Sequence, residues 1–156
     1  AGEALEALDG MRVTEGHLLR ADLDQRCALL GALVEQIVDE SQAAQDGLQV
    51  RLQERVSGLT LEPAPDHAAL ASEIVRFVAR SDIQEEIVRF RSHLTHWAQL
   101  AASDEPCGRK LDFLLQEMNR EVNTIGSKAE GTAVPARVVT AKAELERLRE
   151  QVQNVE

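Results

Sequence analysis

The stretch GRKLDFLLQEMNREVNTIGSK, residues 108–128, decides the fold. Leu111, Leu114, Leu115, Met118, Val122 and Ile125 recur at steps of one, three and four, the period of one face of an α-helix. No period-two alternation runs through it or through the rest of the chain, so a sheet is not expected. Around that core face the stretch is unusually varied. Lys110, Glu117, Glu121, Thr124 and Lys128 fall on one side, and Asp112, Gln116, Asn119, Asn123 and Ser127 on the other. Arg109 and Arg120 lie towards the back, and Phe113 points almost directly away from the core face. An outward phenylalanine predicts that the helix is covered on a second side. A partner subunit is favoured over a ligand, because phenylalanine is common at interfaces.

Outward from this segment the same period continues. Towards the N-terminus, Ser103-Asp104-Glu105-Pro106 is a break, preceded by a helix that buries Ile83, Ile87, Phe90, Leu94, Trp97 and Ala101. Ser81 followed by Gln84 has the capping-box pattern and is expected to start that helix. A shorter helix capped by Asp66 runs through Leu70, Ile74 and Phe77 to about Arg80. Gly58, Pro63 and Pro65 mark the turn before it. From Leu18 to about Leu59, Leu23, Cys27, Leu30, Val34, Ile37, Ala44, Leu48, Leu52 and Val56 predict a long amphipathic helix. Ser41 is a weak point on its stripe, and Gly10 and Gly16 leave residues 3–13 either an extension of it or a separate turn. Beyond residue 128, Gly131 and Pro135 read as a loop, and Val138, Leu145, Leu148, Val152 and Val155 line a final helix. The expected fold is therefore all-α, one long amphipathic helix with about four shorter helices packed along it. Residues 1–66 form the arm and turn and residues 67–156 a helical domain, together one continuous unit.

Composition agrees with that reading. The 156 residues are 44% hydrophobic, with four aromatic residues and no tyrosine, a balance that favours helix over sheet. No apolar run approaches the length needed to cross a bilayer, and the start does not resemble a secretory signal. The opening Ala-Gly is expected of a fragment or a processed chain. Cys27 and Cys107 lie far apart without metal-type spacing and read as reduced thiols of a cytoplasmic protein. The net charge of −10 argues against polyanion binding, but its distribution reverses that argument locally. Residues 1–66 carry thirteen acids against five basic residues, whereas residues 67–156 carry fourteen against twelve. Within 108–128 the balance is +1.

On the helix after Ser81, Asp82, Glu86, Arg89, His93 and His96 share one flank at steps of four, three, four and three. Taken alone, this flank is a solvated row of i,i+3 and i,i+4 contacts. Glu86 and His93 lie about 10 Å apart along the axis, so a shared metal would need a ligand from a second helix. Carboxylates on adjacent helices with a histidine between them can bind a divalent ion or move a proton. Arginines beside them can grip phosphate oxygens. The combination suits phosphodiester chemistry and equally a structural salt-bridge network. Phosphate-binding glycine loops, zinc motifs and nucleophile elbows are absent from the sequence.

Three segments, DIQEEIVRFRSHL (82–94), GRKLDFLLQEMNREVNTIGSK (108–128) and KAELERLREQVQNVE (142–156), together resemble the C-terminal half of the YicC family. Glu15-Gly16 and the long helix after it resemble that family's middle segment. Members are bacterial stress- and stationary-phase-associated proteins described as endoribonucleases. The resemblance implies metal-dependent cleavage of RNA, with Mn²⁺ or Mg²⁺, by a cytoplasmic homo-oligomer, a hexamer. Glu86, Arg89 and His93 match the pattern EE-x-x-R-x-x-S-H. Arg109, Lys110, Asp112, Gln116, Glu117, Arg120, Glu121 and Asn123 match GRKLDFLxQEMNREVNT. The expected catalytic residues are His93, Glu117, Glu121 and Asp112, and the expected metal ligands Glu86, His93, Glu117 and Glu121. Arg89, Arg109, Lys110, Gln116, Arg120, Asn123 and Lys128 are expected to engage RNA. Members also carry an N-terminal domain ahead of this region, so activity is expected of the full-length protein. Cys107 stands where valine is usual, and EGTAVPARV (130–138) departs from the family, so the final helix is expected to begin later. The alternative is an oligomerisation module in which the polar residues form intersubunit salt bridges around Phe113.

Overall fold

The computed structural model describes residues 2–58, 67–103 and 105–155. They form five helices: α1 (Gly2–Ser57), α2 (His67–Ser81), α3 (Gln84–Ala101), α4 (Gly108–Lys128) and α5 (Val134–Val152). No strand occurs among the described residues, and no helix there is long and apolar enough to cross a membrane. The turn expected at 59–66, with Pro63, Pro65 and Asp66, lies outside the described residues, as do the side chains of Val56 and Leu70.

A ring of four helices holds the core. α3 packs on α4 and α4 on α5, and α1 closes the ring against α5 and α3. One buried cluster unites Leu30, Val34 and Ile37 of α1 with Phe90 and Trp97 of α3, Met118 and Ile125 of α4, and Leu148 of α5. Every apolar residue expected on the core face of α4 is buried. Each neighbouring pair in the ring also carries an ion pair. Glu35 joins Arg91 at 2.7 Å, Glu86 joins Lys128 at 2.7 Å, Asp112 joins Arg149 at 3.5 Å, and Glu144 joins Arg26 at 2.9 Å. The exposed pairs, Glu35–Arg91 and Asp112–Arg149, contribute little stability, roughly 0–1 kcal/mol each, whereas Glu86 and Glu144 are buried. All four pairs fix the rotation and register of helices that apolar packing already holds.

α1 runs unbroken through Gly10 and Gly16, so residues 3–13 extend it. At 56 residues it is about 84 Å long, more than the other helices can cover. Its buried positions fall between Leu23 and Ser41, while Leu48 and Leu52 are only half-buried. Ser41 is buried where the apolar stripe has its gap, and its hydroxyl accepts the Glu130 N–H at 3.4 Å.

Two local expectations are corrected. Ser81 does not cap α3: its hydroxyl donates back to the Phe77 carbonyl at 2.8 Å and closes α2. Asp82 Oδ1 instead accepts the Gln84 N–H at 2.9 Å, because the shorter Asx reach suits a two-residue link. Pro135 is not in the loop but in the first turn of α5, where its missing N–H costs nothing. The helix therefore begins inside 130–138 rather than after it, anchored by buried Val134. The bend before it uses Gly131 at φ +132°, with the Glu40 carbonyl close behind.

Candidate functional site: an interhelical histidine–carboxylate cluster

α3 and α4 bring His93, Glu117 and Glu121 together. One ligand atom from each lies within 4.8 Å of the other two. The geometry follows from periodicity. Glu117 and Glu121 are one turn apart on the flank of α4 next to the core stripe, and His93 faces them from the matching flank of α3. Burying Ile87, Phe90 and Trp97 of α3 against Leu114, Met118 and Val122 of α4 sets both flanks edge to edge.

Partners, rather than burial, distinguish this cluster from the structural ion pairs. Glu121 is 3% exposed, yet its nearest cation among the described residues is Arg89 at 3.7 Å. Glu117 has Arg120 at 3.9 Å, again outside hydrogen-bond range. His93 Nε2 is buried and lacks a hydrogen-bond partner. By contrast, the other two buried glutamates are closely paired: Glu86 with Lys128 at 2.7 Å, Glu144 with Arg26 at 2.9 Å and with Arg147. Buried polar atoms are ordinarily satisfied; among the described residues Glu40 Oε2, Glu86 Oε2, His93 Nε2 and Trp97 Nε1 are not, and of these His93 Nε2 is the one grouped with two carboxylates that lack a close cation.

Glu86 is not one of the three. It precedes His93 by seven residues, about 10 Å along α3, and its carboxylate is held by Lys128 from the end of α4. Burial pushes its pKa up, but the Lys128 hydrogen bond, a backbone hydrogen bond, and the Lys128 and Arg89 charges outweigh that. The net pKa lies below the ordinary value. The same hydrogen bond raises the pKa of Lys128, whose charge is thus engaged within the protein. Asp112 is also absent from the cluster. It lies nine residues before Glu121 on the opposite flank of α4, accepts a hydrogen bond from Gln116 at 2.8 Å, and pairs with Arg149 of α5. Asn123 is on that flank too, exposed to solvent.

Arg89 sits between the two groups of acids. Its main partner is Glu85, whose hydrogen bond raises the guanidinium pKa, with Glu121 and Glu86 adding to the effect. Arg109, Lys110 and Arg120 are exposed on α4. Cys27 is excluded as a nucleophile, because burial pushes its thiol up to about 12.

One buried pair went unnoticed in the sequence, Glu144 with Arg26. The available signal was a carboxylate beside Ala141, Leu145 and Leu148 on the core stripe of α5.

The residues present fit a divalent cation. The cluster offers one imidazole nitrogen and two carboxylates, and the unpartnered His93 Nε2 supplies a donor that nothing else uses. Bonds of about 2.1 Å allow donor atoms to lie at most about 4.2 Å apart, so modest rotamer changes would close the cluster on an ion. The mixed nitrogen and oxygen donors suit Mn²⁺ better than Mg²⁺, which prefers oxygen and water.

Fold and site together define an all-α protein whose polar centre is a histidine–carboxylate cluster between two packed helices. The family model described as "Endoribonuclease YicC-like, C-terminal" matches residues 37–156. The chain is 43% identical over 155 residues to the probable endoribonuclease YicC of Clostridioides difficile, an alignment covering 99% of this chain and 53% of that protein. It is 31% identical over 146 residues to the probable endoribonuclease YicC of Haemophilus influenzae, covering 94% of this chain and 50% of that protein. The chain belongs to the YicC-like endoribonuclease family, as the three motifs implied, and spans about half the length of the curated relatives it matches.

Proposed function

We propose that this chain carries the reactive centre of an endoribonuclease, and that RNA phosphodiesters are cleaved at His93, Glu117 and Glu121. The observation behind this reading is the convergence of those three side chains without close ion pairs of the kind that Glu86 and Glu144 make. His93, Glu117 and Glu121 would hold a divalent cation, Mn²⁺ or Mg²⁺. Such an ion supplies charge neutralisation at the phosphate and a lowered pKa for an attacking oxygen. A member of the trio not bound to the ion would instead move the proton of that oxygen, through a bridging water at the 4.8 Å spacing. Arg89, next to Glu121, and Arg120, next to Glu117, would bind the non-bridging oxygens. Arg109 and Lys110 extend the cationic face along α4, Gln116 and Asn123 offer neutral donors, and Lys128 acts by holding Glu86.

Labelled RNA incubated with the full-length protein and Mn²⁺ or Mg²⁺ tests this. His93→Ala, Glu117→Gln and Glu121→Gln should each abolish cleavage while leaving the helical signal intact. Normal cleavage by all three variants would sink the assignment.

Assembly is a separate matter with its own surface. Leu8, Met11 and Leu18 lie along one edge of α1, all exposed. In a cytoplasmic homo-oligomer, a hexamer by the family resemblance, that edge, off the buried stripe of α1, would offer a second apolar surface to a partner subunit. A module with no chemistry of its own would leave the His93 cluster unexplained.

A further inference from the structure

Of the four aromatic residues, Phe90 and Trp97 are buried and Phe77 is half-buried, whereas Phe113 is 60% exposed. It is the one large apolar side chain that α4 leaves in solvent. Its surroundings are cationic and polar. Arg109, Gln116, Glu117 and Arg120 lie at i−4, i+3, i+4 and i+7, the positions that share its face of the helix. Arg109 makes no ion pair among the described residues, and Arg120 has only the 3.9 Å approach to Glu117. Lys110, one turn before Phe113, reaches Glu105 at 3.4 Å across an exposed loop.

Subunit contacts are built differently. Their cores gather apolar residues and deplete charged ones, and no second exposed apolar residue of α4 accompanies Phe113. A single aromatic ring among guanidinium groups is the pattern of single-stranded nucleic-acid binding, in which bases stack on the ring and cations track the backbone. Position adds to this. Phe113 precedes Glu117 by one turn, about 6 Å along the axis, so a base on the ring would sit beside the His93–Glu117–Glu121 cluster.

We propose that Phe113 is a stacking platform for an unpaired RNA base, which positions the adjoining phosphodiester at the cluster and selects single-stranded over duplex RNA. The inference rests on the reading of the cluster as an RNA-cleaving site. Duplex RNA keeps its bases stacked on one another and offers protein only its phosphates and 2′-hydroxyls, so it would gain nothing from the ring. Phe113 is a positioning residue here and takes no part in proton transfer.

A single-stranded oligoribonucleotide with one 2-aminopurine, and its duplex, would be titrated against the full-length wild-type, Phe113→Ala and Phe113→Tyr proteins. Stacking on the ring should quench 2-aminopurine in the single strand. Phe113→Ala should lose that quenching and bind the single strand about 5- to 100-fold more weakly, with duplex affinity, melting temperature and oligomer mass unchanged. Phe113→Tyr should restore both. Unchanged quenching and single-strand preference in Phe113→Ala would overturn the inference while the RNA reading stands. A change of oligomer mass without loss of quenching would make Phe113 a subunit contact and overturn it too. Absence of RNA binding by the wild type at low salt would fail the RNA reading, and this inference with it.

Discussion

Glu121→Gln should make the protein more stable and less active, whereas Glu144→Gln should make it less stable. Glu117 and Glu121 place carboxylate oxygens within 4.8 Å of each other. Their repulsion is about 3 kcal/mol at an effective dielectric near 20, and about 1 kcal/mol where water reaches the pair. Glu121 also loses hydration by being buried, without a hydrogen bond in return. Glu121→Gln removes both penalties. It gives up only a 3.7 Å approach to Arg89, which keeps Glu85 as its main partner. The net gain should be about 1 kcal/mol, or about 2–4 °C in Tm for a domain of this size. Glu144→Gln instead breaks the close pairs with Arg26 and Arg147 and should cost about 1–3 kcal/mol. Thermal melts followed by circular dichroism in chelator give both values. Added Mn²⁺ should then raise the Tm of the wild type and not that of Glu121→Gln. If Glu121→Gln melts as far below the wild type as Glu144→Gln does, the cluster is a structural ion-pair network and the reasoning fails.

Three further outcomes follow from the same geometry. Glu86 has a lowered pKa in the folded state, so its contribution to stability is complete above the unfolded value of about 4.3. That contribution is lost as pH falls through the lowered folded value, and acid unfolding of Glu86→Gln should therefore be shallower than that of the wild type. Gly131 has φ +132°, and an added Cβ would lie 3.0 Å from Val134 Cγ2; Gly131→Ala should cost about 1–3 kcal/mol in urea unfolding, and an unchanged midpoint would contradict that bend. Asp112 is tied to α5 rather than to the cluster, so Asp112→Asn should leave the cleavage rate within about twofold, and a loss as large as that of Glu121→Gln would return it to the catalytic group.

How much of this could be read in the sequence depended on whether one helix sufficed. The core faces of α3 and α4 were legible because a single period fixes them: Phe90, Trp97, Met118 and Ile125 are buried where the spacing placed them. The outward direction of Phe113 was legible for the same reason. Contacts between helices were not, since they depend on the rotation of one helix against another. His93, Glu117 and Glu121 were grouped through the resemblance, and only packing separates them from Glu86 and Asp112, which share their helices. Ser81 and Asp82 compete for the same short link, and the sequence alone does not say which will cap and which will close. The Glu144–Arg26 pair joins residues 118 positions apart, beyond any local pattern.

The central claim is that His93, Glu117 and Glu121 act as one site. Single-turnover cleavage of labelled RNA, compared among His93→Ala, Glu117→Gln, Glu121→Gln and the triple variant, tests it most directly. Residues that act as a unit are strongly non-additive, so each single substitution should reduce the rate nearly as far as the triple. Losses that multiply, with the triple falling by the product of the three single factors, would show independent contributions and contradict the account.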